Sequence, residues 1–135
     1  MKSFVLDANA VMTFLEKRPG AEKIVNLLRQ AAHGSLELSI SVVNWGEVYY
    51  SIWRTAGRQT AEEKLGQIAQ LPIEIVPADR DLTKLAAEFR ARHRLPYADC
   101  FAAALAHQRK ATLATADADF LQVKHLLKIL WTTEA

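Results

Sequence analysis

Two hydrophobic rhythms alternate along the chain. Residues 2–6 close on the apolar run Phe4-Val5-Leu6, which reads as a strand. From Ala8 to Lys17 the apolar residues Val11, Phe14 and Leu15 fall at helical spacing, and Arg18-Pro19-Gly20 breaks that helix. A second helix is predicted from about Ala21 to Ala32, with Ile24, Leu27, Leu28 and Ala31 on one stripe and Gly34 as its cap. Leu36–Ser41 alternates and reads as a strand. The segment from Val42 reads as a helix ended by Gly57, and residues 60–70 read as another. Pro72 leads into the short strand 73–76. Pro77 and Asp79 then open a helix carrying Leu82, Leu85, Ala86 and Phe89 at helical spacing.

Arg94-Leu95-Pro96-Tyr97 interrupts the pattern. Residues 98–108 form an alanine-rich helix whose small side chains permit close packing on a sheet. Residues 111–115 read as a strand, 117–122 as a short helical turn and 128–131 as a last strand. Strands alternating with helices predict an α/β layered fold with a parallel sheet and right-handed crossovers. In such sheets ligands sit beyond the carboxyl ends of the strands, at a point where the strand order reverses.

That rule singles out the acids. Asp7 ends the first strand. Glu47 lies in the helix after the second, Asp99 in the first turn of the alanine-rich helix, and Asp117 just past the strand 111–115, with Asp119 two residues on. A parallel sheet brings these to one edge. Like charges so gathered repel unless a cation joins them. Magnesium and manganese prefer oxygen ligands, and either one can clamp a phosphodiester and activate a water. Each acid also has a plainer reading. Asp7 fits the role of N-cap as well as that of ligand. Asp99 and Asp119 suit the positive end of a helix dipole, and for Asp119 the dipole reading is the stronger. Glu47 is a good helix former, yet its neighbours are apolar or small. Asp79 and Asp81 are read as caps only. The ordered set, not any one member, carries the chemistry.

The bulk properties leave that reading open. The 135 residues fit one domain, 1–135, with a substantial core; half are hydrophobic, which argues against disorder. The net charge of +2 is not that of a protein that obviously coats nucleic acid, so polyanion binding needs a local patch or a metal. A single cysteine, Cys100, permits no internal disulfide and suits a reducing compartment. No signal peptide or membrane span is apparent, and a cytoplasmic protein is expected.

Four segments together resemble the PIN-domain family, and within it the VapC-like toxins of type II toxin–antitoxin modules. They are Phe4–Val11 with Asp7 and Asn9; the stretch from Ser39 to Val48 with Glu47; the stretch from Arg92 to Ala106 with Asp99; and Ala111–Phe120 with Thr115 before Asp117. The resemblance spans nearly the whole chain, with order and spacing kept. The third residue of the opening motif is Asn9 rather than aspartate. The resemblance implies a three-layer α/β/α sandwich and Mg²⁺- or Mn²⁺-dependent endoribonuclease activity that inhibits translation or growth. Asp7, Glu47, Asp99 and Asp117 would line the site and bind metal, with Asp7 and Asp99 the foremost ligands. Asn9, Thr115 and Asp119 would support them. A homodimer and an occluding antitoxin are implied as partners, with RNA as substrate.

The remaining features are weaker. Arg90, Arg92 and Arg94 precede the Asp99 segment, and Arg54 lies two turns beyond Glu47; they are the candidates for phosphate contact, although a solvated face explains each singly. Trp45, Tyr49 and Trp53 form an aromatic stripe, usually a sign of core, that is expected to be partly exposed. Two rival functions stand. One is an aspartyl phosphotransferase or phosphatase of haloacid-dehalogenase type with Asp7 as nucleophile, which leaves Glu47 idle and expects aspartate where Asn9 stands. The other is a non-catalytic module binding RNA or protein.

Overall fold

The computed structural model describes residues 1–133. Its elements run β1 (Lys2–Leu6), α1 (Ala8–Leu15), α2 (Ala21–Ala32), β2 (Leu36–Ser41), α3 (Val42–Ala56) and α4 (Arg58–Ile68). They continue with β3 (Glu74–Val76), α5 (Arg80–Arg92), α6 (Tyr97–Arg109), β4 (Thr112–Thr115), a 3-10 helix (Ala118–Val123) and β5 (Lys128–Trp131). Every expected element is present. The boundaries that move have local causes. The first helix stops at Leu15 rather than Lys17, because Lys17 adopts a left-handed backbone and the Arg18 N–H returns to the Thr13 carbonyl, which closes the helix end. Gly57, at φ +89°, closes α3 and also opens α4, so α4 begins two residues before the expected start.

All four strand pairings are parallel, in the order β3-β2-β1-β4-β5. Side chains alternate across each strand, which sends neighbours to opposite faces. Val5 and Leu113 join the core formed with α5 and α6. Leu6 and Ala114 join the core formed with α1–α4. The result is a three-layer α/β/α sandwich. Helix α6 is buried without a break from Cys100 to Ala106, and its alanines let its backbone lie close to the sheet. No helix among the described residues is long and apolar enough to cross a membrane.

The chain reaches β2 on one side of β1 and β4 on the other, so strand order reverses between β1 and β4. Crossovers leaving these two strands diverge, and a crevice opens beyond their carboxyl ends. Asp7 follows β1 there, and Ala116 and Asp117 follow β4. The far end of β5 closes over the same region. The Thr132 N–H donates to the Thr115 carbonyl at 3.0 Å, and Lys23 Nζ donates to the Trp131 carbonyl at 2.9 Å. Gly20 sits beneath Thr132 at φ +94°; a Cβ there would stand 2.4 Å from the Thr132 carbonyl oxygen.

Candidate active site

Asp7 is almost fully buried, and both of its oxygens are engaged. Oδ1 accepts the Ala10 N–H at 2.7 Å, which caps α1. Oδ2 accepts the Thr115 hydroxyl at 2.6 Å across the β1–β4 boundary. The cap reading and the site reading of Asp7 are therefore both satisfied by one side chain. Burial, followed by the charges of Asp117 and Glu47, raises its pKa to about 7 even though the two hydrogen bonds oppose the shift.

The neighbouring bonds fix the β4 exit. Asn9 Oδ1 accepts the Ala116 N–H at 2.9 Å, and Thr115 Oγ1 accepts the Asp117 N–H at 3.0 Å. Asp117 Oδ1 caps the 3-10 helix by accepting the Asp119 N–H at 2.9 Å. From the other side α6 presents Asp99 in its first turn. Burial raises the Asp99 carboxyl to about 7, with further upward pushes from Asp117, Glu47, Asp7 and Asp119. Glu47, half-buried in α3, is also raised, first by burial and then by Asp117.

One carboxylate oxygen each from Asp99, Asp117 and Asp119 lies within 4.8 Å of the others. The arrangement gathers five acids contributed from four parts of the chain. Both ion pairs among the described residues, Arg18–Glu16 and Arg109–Glu74, lie elsewhere. An oxygen-only donor set with uncompensated negative charge fits a hard divalent cation such as Mg²⁺ or Mn²⁺. The sequence reading put Asp7 and Asp99 foremost as ligands. Asp99 belongs to the tight trio with Asp117 and Asp119, and each Asp7 oxygen accepts one hydrogen bond and keeps a lone pair for a cation.

The sequence profile of the PIN domain matches residues 4–126. This chain belongs to the PIN domain family. None of the curated proteins matches it in sequence at a significant level. Solved structures share its fold. One is a chain of VapBC from Salmonella typhimurium, crystallised bound to DNA, at TM-score 0.77 and 17% identity, covering 98% of this chain and 100% of that one. Another is a chain of VapBC2 from Rickettsia felis, bound to a DNA fragment from its promoter, at TM-score 0.74 and 20% identity, covering 95% and 97%. A third is Mycobacterium tuberculosis VapC20, described as a Sarcin–Ricin loop cleaving toxin, at TM-score 0.70 and 15% identity, covering 89% and 94%.

The candidate phosphate-binding arginines of this PIN domain do not form one patch. Arg90 and Arg94 line an open depression with Leu95 and Pro96. Arg92 faces a separate one with Glu88, His93 and His107. The Arg54 guanidinium lies 5.5 Å from the centre of the Tyr50 ring. In the aromatic stripe Trp45 stacks on Tyr49, and Tyr49 meets Trp53 edge-on. Trp45 and Tyr49 are half-buried, whereas Trp53 is 44% exposed, beside Tyr50 at 49%.

Sequence reasoning missed one member of the site. Asn44 Nδ2 donates to Glu47 Oε1 at 2.9 Å and to the Ala98 carbonyl at 3.0 Å. Its signal was available: a polar residue three positions before Glu47 shares that residue's helix face, in a stretch otherwise apolar.

Proposed function

We propose that this PIN domain is a Mg²⁺- or Mn²⁺-dependent endoribonuclease, the toxin of a toxin–antitoxin pair. The carrying observation is the acid cluster at the reversal point of the sheet: Asp99, Asp117 and Asp119 oxygens within 4.8 Å, flanked by Asp7 and Glu47. Asp7, Glu47, Asp99 and Asp117 would line the site and hold the cation, with Asp119 beside Asp99 and Asp117 as a further ligand. When bound, the cation polarises a phosphodiester and makes a water nucleophilic at neutral pH. Thr115 and Asn9 keep Asp7 and the β4 exit in register, so the carboxylates stay in place without rearranging. Asp7 and Asp99 hold protons up to about pH 7 while the charge is uncompensated, so occupancy of the site rises with pH.

The likeness to VapC20 supports RNA as the substrate, and the VapBC complexes support an antitoxin partner. Arg90 and Arg94, which share one depression, are the first candidates for RNA phosphates, ahead of Arg54 and of Arg92, which faces another side of α5. The exposed rings of Tyr50 and Trp53 suit a protein contact, with the antitoxin or with a second copy in a homodimer. The expected setting is the cytoplasm, as a single domain over residues 1–135.

The test is incubation of the purified protein with total RNA in Mn²⁺, Mg²⁺ or EDTA, beside Asp99→Asn. Discrete fragments that need the metal and vanish in the variant are expected. Hydrolysis of a small phosphomonoester without RNA cleavage would overturn the proposal in favour of the phosphotransferase. RNA binding without cleavage would overturn it in favour of a binding module.

A further inference from the structure

Asn44 is 0% exposed, in a helix whose other fully inward residues, Val48 and Ile52, are aliphatic. Both hydrogens of its amide are used. One goes to Glu47, a turn along its own helix; the other goes to Ala98, which precedes Asp99 on α6. A single side chain thus bridges the two helices that carry Glu47 and Asp99. Its carbonyl oxygen has no protein donor. A buried acceptor without a partner costs stability, so folding alone favours a leucine of similar size at this position.

The choice of residue type follows from the two bonds. Aspartate has no hydrogen to give and adds a charge to an already crowded cluster. Serine and threonine have one hydrogen for two acceptors. Glutamine is a methylene too long for a fully enclosed site. Asparagine alone supplies two hydrogens at this reach.

We infer that Asn44 is a positioning residue: by tying Glu47 to the backbone beside Asp99, it sets the spacing of their carboxylates and thereby the affinity for a divalent cation. The inference rests on the metal-site reading above. Groups that orient metal ligands from behind typically change metal affinity by about 10–100-fold when removed.

The experiment measures Mn²⁺ binding to the purified full chain by titration calorimetry, for the unmodified protein, Asn44→Leu and Asn44→Ala. The leucine keeps the core filled, and the alanine guards against a leucine that fails to fit. Thermal unfolding in EDTA reports the fold of each. A folded variant is expected to bind Mn²⁺ about tenfold or more weakly, with Asn44→Leu at least as stable as the parent in EDTA. In a Glu47→Ala background the same substitution is expected to cost much less affinity, an effect that general loosening of the core does not produce. Folded variants that bind Mn²⁺ within about twofold of the parent overturn the role of Asn44 and leave the metal site standing. A parent chain that binds no Mn²⁺ overturns both.

Discussion

Replacing Asp7 by asparagine is expected to stabilise the metal-free protein near and above neutral pH, though not at pH 4. Asp7 titrates at 3.8 when unperturbed and at about 7 in the folded chain. Between those values the unfolded chain has released the proton and the folded chain still holds it. Stability therefore falls with rising pH across this window and levels off above it. A gap of roughly three pH units, at about 1.36 kcal/mol each, amounts to about 4 kcal/mol lost by pH 8. Asparagine has no such loss. Its oxygen keeps the Ala10 N–H, while its NH₂ meets Thr115 Oγ1, whose own hydrogen then lacks the Asp7 acceptor. That mismatch costs about 1 kcal/mol.

The variant should thus be slightly less stable than the parent at pH 4 and about 3 kcal/mol more stable at pH 8. For a domain of this size, that corresponds to roughly 10 °C in melting temperature. Circular dichroism melts in EDTA at several pH values between 4 and 8 measure the difference directly. Saturating Mn²⁺ should narrow it, because the parent, with one more carboxylate at the site, binds the ion more tightly than the variant. A stability difference that is the same at pH 5 and pH 8 would refute the assignment of a buried, proton-holding Asp7.

Other perturbations address other parts of the molecule. Gly20→Ala combines a strained φ with a Cβ 2.4 Å from the Thr132 carbonyl oxygen and should destabilise the fold by about 2–3 kcal/mol; an unchanged urea midpoint contradicts that close approach. Asp79→Ala removes the acceptor of the Leu82 N–H, bonded at 2.8 Å, and should cost about 1 kcal/mol of stability while leaving any RNA cleavage intact. The Cys100 thiol is buried and its pKa is pushed up to about 11, so at pH 8 it should react with a thiol reagent only as fast as the chain opens. Prompt labelling of the native protein would contradict its enclosure.

The order of strands and helices was legible because each element carries its own period and its own stop signal. Gly57 closes α3 and Asp79 caps α5 as expected, and Pro96, within the segment that interrupts the pattern, is where α6 starts. The sheet order was not legible. Whether β4 pairs with β1 or with β3 depends on which faces bury most area together, and no local pattern encodes that. The acids could be chosen because topology sends them to one edge, but their division of labour could not. The two hydrogen bonds to Asp7 join residues 108 and three positions apart, and only the folded chain reveals that each oxygen accepts one. Asp119 looked like a dipole residue and is one, exposed in the first turn of the 3-10 helix. It enters the trio because the cap from Asp117 holds its backbone beside that residue, with one of its oxygens within 4.8 Å of Asp99 and Asp117. The arginines near Asp99 looked contiguous in sequence, whereas helix geometry places Arg90 and Arg92 on different sides of α5.

The bond between Thr115 and Asp7 also governs when the site can exist. Strand β1 is made first, yet its partner on one flank, β4, starts at Thr112, and the Thr115 carbonyl is closed only by Thr132. A nascent chain that has reached α5 has Asp7 and Glu47 but neither Asp99 nor the β4 exit, and one edge of β1 is unpaired. The carboxylates converge only once β4 has paired with β1. A chain cut before Thr112 would therefore lack the hydroxyl that Asp7 accepts and two of the five acids, Asp117 and Asp119.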